Sequence, residues 1–309
     1  MMSIIITGAS GFVGTNLSTF FESRNIDVIS LSLRDPMWKA HFPNAASSLI
    51  HLAGKAHDVL NTSSSEDYFK INRDLTIELF DRFLESDVCD FFFFSSVKAV
   101  TDAIEGVLSE NCDANPRTPY GKSKYDAEQY LLRKTLPQGK RLFIIRPCMI
   151  HGVGNKGNLN LLYNVVKKGL PWPLADFSNQ RSFLSIHNLT FLLERMMQNR
   201  KLSSGVYNFA DDEAMSTNEL VELIGEVVER RPKFWRVPAF LITNLVKIGD
   251  VIPLPLNSER LKKLTESYVV SNAKIKKSLD IQKLPLSTRQ GLIMTIRSFS
   301  DNDQLNIKK

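Results

Sequence analysis

An α/β fold built on a doubly wound parallel sheet is what this sequence predicts, and three observations carry the expectation. Strand-like and helix-like runs alternate through the first half of the 309 residues, the pattern of a parallel sheet covered by helices on both faces. A glycine-rich turn, Gly8-Ala9-Ser10-Gly11-Phe12-Val13-Gly14, stands directly between the first strand and the first helix. The apolar run 91–95 suits a central strand buried on both sides.

Taken in order, residues 4–7 form a short β-branched strand ended by Gly8. Residues 15–24 read as the first helix and 27–33, by alternation, as the second strand. A third apolar run covers 48–53, and 69–86 has helical periodicity, with Leu75, Leu79 and Phe83 four apart. After the central strand come a helix over 120–134 and a strand over 141–146 that breaks at Pro147. Past residue 150 the pattern loosens. Helices are expected at 159–168 and 188–198, and a strand at 205–209. Ser216-Thr217-Asn218-Glu219 has the form of a capping box opening a helix that runs to Val228. The apolar stretch 237–256 is interrupted by Lys247, Asp250 and prolines, and is expected to pack on the main body rather than lie on a membrane surface. The polar tail from Ser300 is expected to fray.

Composition removes several classes. Apolar residues at 43% and charged residues at 23% exclude a disordered chain, a collagen and a disulfide-stapled mini-protein. No run of about 18 apolar residues exists, so no transmembrane helix is expected. The start, Met1-Met2-Ser3-Ile4, lacks a basic leader and reads as a first strand. Cys89, Cys112 and Cys148 are scattered and odd in number, which fits reduced thiols in the cytoplasm. His41, His51, His57, His151 and His187 have no metal-ligand spacing, so each is expected to be structural and no metal is expected. The net charge of +6 and the runs Arg230-Arg231-Pro232-Lys233 and Lys274-Ile275-Lys276-Lys277 read as solvated surface, not as a nucleic-acid interface.

The glycine turn carries the first functional signal. Gly8 allows a tight turn, Gly11 lets the backbone approach a pyrophosphate, and Gly14 lets the helix pack on the strand while its amides face the anion. Ser10, Phe12 and Val13 complete this expected cofactor contact. At the end of the second strand, where an acidic residue usually binds the adenosine ribose, stand Ser32 and, two residues on, Arg34. A small hydroxyl and a guanidinium suit a 2′-phosphate, which tilts the cofactor toward NADP(H) over NAD(H). The other reading has Asp35 serve the ribose while Arg34 points to solvent.

The second signal is Tyr120-Gly121-Lys122-Ser123-Lys124, which places a phenol and an ammonium one turn apart on one helix face. An ammonium and a cationic nicotinamide beside the phenol are expected to lower its pKa toward a useful range. Ser96 lies 24 residues upstream, at the carboxyl edge of the central strand. There its hydroxyl can bond the oxygen that Tyr120 protonates or deprotonates.

These residues resemble an extended short-chain dehydrogenase/reductase of the NAD-dependent epimerase/dehydratase family. The likeness rests on residues 7–14, His51-Leu52-Ala53-Gly54, Asn72, Ser95-Ser96, residues 120–124, Arg146-Pro147 and Asn179-Gln180-Arg181-Ser182-Phe183. It implies a Rossmann-like cofactor domain over 1–150, a smaller α/β substrate-binding region over 151–300 with intermixed segments, and a flexible tail over 301–309. It further implies that Leu52, Ala53, Gly54 and Lys55 line the cofactor, that Asn72 supports their strand, and that Pro147 and Cys148 lie beside the nicotinamide. Asn158 and Arg181 would hold a sugar-nucleotide diphosphate, with Leu159 and Val97 nearby.

Ser95-Ser96-Val97-Lys98 and Gly169-Leu170-Pro171-Trp172-Pro173-Leu174 are similar to a subgroup acting on UDP-sugars in bacterial surface-polysaccharide pathways. By that likeness Leu170 and Trp172 wall a uracil site; a plain hydrophobic loop is the other reading of Trp172. Met149 departs from the family pattern, as does the short segment before Ser48. Val97-Lys98 stands where 4,6-dehydratases carry an Asp-Glu pair, which disfavours dehydration. The preferred expectation is a C4-ketoreductase of a UDP-4-keto-6-deoxy-N-acetylhexosamine. A UDP-sugar 4-epimerase with tightly bound NAD is the alternative, and a non-catalytic dinucleotide sensor is less favoured. A homodimer through the helices at 69–86 and 120–134 is expected.

Overall fold

The computed structural model describes residues 3–55, 64–155, 157–249 and 258–307. Its centre is a six-stranded, wholly parallel sheet. β1 (Ser3–Thr7) leads through α1 (Phe12–Ser23) to β2 (Asp27–Leu31), and β3 (Ser48–His51) follows on the other side of β1. Next come α2 (Ser65–Phe69), a π-helical turn (Lys70–Asp74) and α3 (Leu75–Leu84), then β4 (Asp90–Phe94). A 3-10 turn (Val97–Ala99) and β5 (Val107–Leu108) precede α4 (Pro119–Arg133) and β6 (Arg141–Pro147). The sheet order is β2-β1-β3-β4-β6, closed by a sixth strand, β9 (Gly205–Phe209), from far down the chain. The expected doubly wound sheet is therefore present, and β9 ties the two halves of the sequence into it.

Alternation along the strands explains both faces. Phe92 and Phe94 enter one core with Ile4, Phe143, Ile145 and Phe209, under α1. Phe91 and Phe93 enter the opposite core with Ile5, Leu49, Leu142 and Ile144, under α3 and α4. Four consecutive phenylalanines are what a strand with two covered faces needs. Residues 32–47, too short for another strand and helix, bury Trp38, Phe42 and Ala46 against this second core.

The remaining elements follow in chain order. β7 (Met149–His151), α5 (Asn158–Lys167), β8 (Arg181–Ser185), α6 (Ile186–Gln198), β10 (Ala214–Met215) and α7 (Thr217–Val227) are followed by α8 (Ala239–Gly249) and α9 (Ser258–Thr265). β11 (Val269–Val270), α10 (Ala273–Leu279) and α11 (Thr288–Ile307) end the series. Of these, α6 and α10 pack into the core under α1 through Leu189, Met196, Ile275 and Leu279, while α5, α7, α8, α9 and α11 build a second, smaller region. A three-stranded sheet, β10-β8-β7, and the pair β11-β5 accompany them. The Ser216 capping box forms: Glu219 N donates to Ser216 Oγ at 3.1 Å, and Ser216 N donates to Glu219 Oε2 at 2.7 Å. α11 continues through the segment from Ser300 that was expected to fray. Residues 250–257 of the apolar stretch lie outside the described residues, as does His57.

Three local boundaries differ from expectation for identifiable reasons. α1 begins at Phe12 because Gly11, extended at φ −78° and ψ 171°, is its N-cap. α6 begins at Ile186 because Ser185 Oγ accepts the Asn188 amide at 3.1 Å. The helix expected over 69–86 is split by the π turn that carries Asn72, an irregularity often found at functional sites.

Candidate active site

The carboxyl ends of β1, β3, β4 and β6 converge on one crevice, where the strand order reverses around β1. Gly8 adopts φ +69°, and a Cβ there would stand 2.8 Å from Ala53 N. A Cβ on Gly14 would lie 2.3 Å from Gly8 O and 2.6 Å from Ala9 Cα, so only glycine lets α1 start this close to the turn. Gly11 N donates to Gly8 O at 3.0 Å. No side chain caps α1 and no acidic residue stands in its first turn, which leaves its dipole and first amides to an external anion. Ser10 is exposed, and Phe12 and Val13 are half-buried at this end.

The floor beside the loop is held by hydrogen bonds the sequence did not reveal. Ala53 N donates to Thr7 Oγ1 at 3.2 Å, and Leu52 N donates to Thr7 O at 3.2 Å. His51 bridges Thr7 Oγ1 at 2.7 Å and Thr76 Oγ1 at 2.9 Å. Burial, then the nearby Lys124 charge, push its pKa down to about 3, so the ring is a neutral structural bridge. Asn72 clamps the strand end: its Oδ1 accepts Lys55 N at 2.7 Å, and its Nδ2 donates to Lys55 O at 3.0 Å and Ser123 Oγ at 3.2 Å. Asn72 Oδ1 and Lys124 Nζ would lie 2.9 and 3.3 Å from any Cβ on Gly54. Lys55 Nζ pairs with Asp67 at 2.8 Å.

At the end of β2, Ser32 and Arg34 are exposed, and Arg34 forms no ion pair with any described residue. Asp35 is engaged by its own turn: Oδ1 accepts Met37 N at 2.9 Å and Oδ2 pairs with His41 Nδ1 at 3.0 Å. The Met37 amide, followed by His41, holds this carboxyl below its ordinary range. The reading in which Asp35 serves a ribose would have to break that turn.

Three elements bring the catalytic candidates together. Thr118 Oγ1 caps α4 by accepting Gly121 N at 3.2 Å, and Pro119 occupies its first turn. A Cβ on Gly121 would lie 2.4 Å from Lys98 O, so α4 packs directly on the turn after β4. Ser96 Oγ accepts Lys98 N at 3.1 Å, and the Ser96 side chain hydrogen-bonds Tyr120. Lys124 Nζ donates to Phe94 O at 2.9 Å and lies 4.9 Å from the centre of the Phe93 ring.

The protein's own groups set the electrostatics of this site. Burial pushes the Tyr120 phenol up, Tyr68 adds to this, and the Ser96 hydrogen bond opposes it; Lys124 is not among the groups acting on it. Lys124 is itself pushed down to about 8 by burial, against the upward pull of Glu128. Desolvation thus favours the neutral form of both groups. Glu128 is fully buried and receives Arg146, with Nε to Oε1 at 3.0 Å and Nη2 to Oε2 at 2.5 Å. This ion pair underlies the helix face that carries Lys124.

Asp102 organises the approach to Tyr120. Its carboxylate accepts Arg117 N at 2.7 Å, Thr118 N at 3.1 Å and Thr118 Oγ1 at 2.9 Å. Nothing in the local sequence marks it. Lys98 Nζ donates to Asp102 O at 2.7 Å and sits 4.2 Å from the centre of the Tyr268 ring. Burial pushes Lys98 down to about 8, with Asp102 and Glu266 pulling up and Arg181 and Lys262 pushing down. Arg181, at the start of β8, is likewise lowered by burial. Lys98 and Arg181 therefore share one environment next to the turn that bears Ser96.

The other expected substrate residues part company. Val97 and Leu159 are buried among apolar neighbours. Trp172 is buried in the core of the smaller region and donates Nε1 to Asn218 Oδ1 at 2.9 Å. This favours packing over an open wall for Trp172, whereas Leu170 is exposed. Pro147 ends β6, and the adjacent Cys148 thiol is pushed well up by burial. The Asn158 side chain lies outside the described residues. Among the described residues no group of three or more His, Cys, Asp or Glu side chains could hold a metal.

Residues 4–210 match the model of the NAD dependent epimerase/dehydratase family. The chain is 26% identical to a UDP-glucose 4-epimerase of Vibrio cholerae, over 96% of this chain and 95% of that protein. It is 23% identical to a GDP-6-deoxy-D-mannose reductase of Pseudomonas aeruginosa, over 76% of this chain and 83% of that one. Among solved structures, MoeE5 in complex with UDP-glucose and NAD superposes with a TM-score of 0.78 at 19% identity, covering 97% of this chain and 99% of its own. With the glycine loop, the reversing strand order and the Ser96–Tyr120–Lys124 arrangement, the match over residues 4–210 assigns this chain to the NAD-dependent epimerase/dehydratase family.

Proposed function

We propose that this chain is a pyridine-nucleotide-dependent nucleotide-sugar oxidoreductase, and specifically a C4-ketoreductase of a UDP-4-keto-6-deoxy-N-acetylhexosamine serving surface-polysaccharide synthesis. The observation that carries the chemistry is the hydrogen bond between Ser96 and Tyr120 at the carboxyl edge of β4, with Lys124 one turn along the same helix. A dinucleotide fits the crevice: among the described residues, no side chain caps the α1 amides, and Ser95 Oγ is buried without a hydrogen-bond partner. Gly8, Ser10, Gly11, Phe12, Val13 and Gly14 would hold its diphosphate, and Leu52, Ala53, Gly54 and Lys55 would flank it. When bound, the cofactor supplies the hydride that the sugar carbon receives.

The protein supplies the proton. Tyr120, kept protonated by burial, gives its proton to the C4 oxygen, and Ser96 orients that oxygen. Lys124 offsets the negative charge left on the phenol. Arg181 with Lys98 offers the positive charge suited to a nucleotide diphosphate. Arg34, exposed and without an ion-pair partner among the described residues, supports NADP(H), and an exchangeable reductant fits a reductase better than an epimerase.

The epimerase reading has its own support in the 26% identity to the Vibrio cholerae enzyme over almost the whole chain. A homodimer through the outer faces of α3 and α4 and a cytoplasmic location belong to the proposal. Three free thiols support the latter. Among the described residues no helix is long and apolar enough to cross a membrane.

The test is to denature the purified protein and identify any released nucleotide by mass. Stoichiometric NAD would overturn the reductase in favour of the self-recycling epimerase. An empty protein that binds NADPH more tightly than NADH supports the reductase. In that case Arg34→Ser should weaken NADPH about tenfold, the loss of one charge-assisted contact, and leave NADH unchanged.

A further inference from the structure

We propose that the face carrying Leu170, Trp235, Phe240 and Leu241 docks on the surface of an anionic lipid bilayer. This goes beyond the proposed reaction and does not depend on it. α8 and the segment before it are held by their inner side, where Ile242, Val246 and Val237 pack in the core of the smaller region. The outer positions of a surface helix are ordinarily polar. Here Phe240 is 65% exposed and Leu241 44%, and Trp235, just upstream, is 57% exposed. Backbone pairing adds the neighbouring loop: Trp172 N donates to Lys233 O at 2.7 Å and Trp235 N donates to Trp172 O at 2.9 Å. Leu170, two residues before Trp172, is 51% exposed.

Charge decides what covers this face. Between Glu229 and Asp250 the sequence holds five cations and no carboxylate. Arg231, Lys233 and Arg236 are exposed and pair with no carboxylate among the described residues. Arg230 donates to Lys167 O, which brings Lys167 and Lys168 alongside. A second copy meeting this face about a two-fold axis would set cation against cation, which is costly. A nucleic acid would be served by the cations and by stacking on Trp235 and Phe240, but would leave Leu170 and Leu241 in water. An anionic bilayer answers both: headgroup phosphates meet the Arg and Lys side chains, while Trp235, Phe240 and Leu241 enter the boundary of the acyl chains.

The experiment mixes the full chain with vesicles of phosphatidylcholine, alone or with phosphatidylglycerol, at about 0.1 M salt, where a charged surface still reaches roughly 10 Å. Binding is read by co-sedimentation and by tryptophan emission. Trp38 and Trp172 are buried, so a blue shift reports Trp235. Binding to the mixed vesicles with a blue shift, and little binding to the neutral ones, is expected. Arg231→Gln/Lys233→Gln/Arg236→Gln should lower partitioning about a hundredfold, from three cations each worth roughly fivefold. Phe240→Ser/Leu241→Ser should abolish the blue shift; circular dichroism and dinucleotide binding check that both variants are folded. Absence of binding, equal binding to both vesicles, or binding that neither variant alters would overturn the proposal. So would a dimer of the wild type that Phe240→Ser/Leu241→Ser converts to monomer, or retention on RNA without retention on vesicles.

Discussion

Replacing Lys124 by methionine should make the protein more stable while removing its activity. Lys124 is only 5% exposed, and burial lowers its pKa from 10.5 to about 8. A depression of that size means that keeping the ammonium inside at pH 7 costs about 3 kcal/mol relative to the unfolded chain. Methionine removes this cost but leaves Phe94 O without its donor, a loss of about 1 kcal/mol. The net expectation is a gain of about 2 kcal/mol at pH 7. The unfolded chain binds more protons at this site between pH 8 and 10.5, so wild-type stability rises with pH in that window relative to the variant. Urea unfolding of both proteins at pH 7 and pH 9.5 should therefore show the gap narrowing by about 2 kcal/mol. A variant less stable than wild type at pH 7, or a gap that does not change with pH, would refute the reasoning.

Other variants probe the remaining parts of the site. Tyr120→Phe should lose about 10²–10⁴-fold in turnover while binding dinucleotide normally by fluorescence titration; near-normal turnover would remove Tyr120 from the mechanism. Asp102→Ala leaves two backbone amides and a hydroxyl ahead of Tyr120 without their acceptor. It should lower kcat about tenfold or more with dinucleotide affinity preserved, and equal losses in both would mean general unfolding instead. Gly14→Ala forces a methyl to within 2.3 Å of Gly8 O, so dinucleotide binding measured calorimetrically should fall below detection. Glu128→Gln strands the buried Arg146 charge and should cost about 3–5 kcal/mol in urea unfolding.

The sequence was most informative where chemistry and periodicity coincide. The phenylalanine run, the glycine loop and the Tyr120–Lys124 spacing each act over a few residues, and their physical consequences are local; Ser96 was legible from its place at the end of the central strand. Glu128 could have been found by the same logic, since it lies one turn beyond Lys124 on the same face. Asp102 and Tyr268 could not. Tyr268 donates to Val97 O at 3.0 Å and Thr101 O at 2.7 Å across 171 and 167 residues, a separation no local pattern encodes. The upward push of burial on Tyr120 was illegible for a related reason: spacing reports which charges are near, whereas burial depends on everything folded around them.

The sixth strand has a consequence for how the chain comes into being. β6 carries Leu142, Phe143, Ile144 and Ile145, all buried, and among the described residues its outer edge is paired by β9 alone. Roughly 60 residues separate the two strands, so at 5–20 residues per second the ribosome takes about 3–12 s to deliver the partner. Throughout that interval the nascent chain presents an apolar strand edge open to any other strand it meets. The core beneath it also waits for Leu189, Met196 and Phe209. A gene cut near residue 150 would make that interval permanent. The first half of the chain is thus expected to need β9 before its sheet is complete, and chaperone dependence during synthesis is the expected consequence of the place of one late strand.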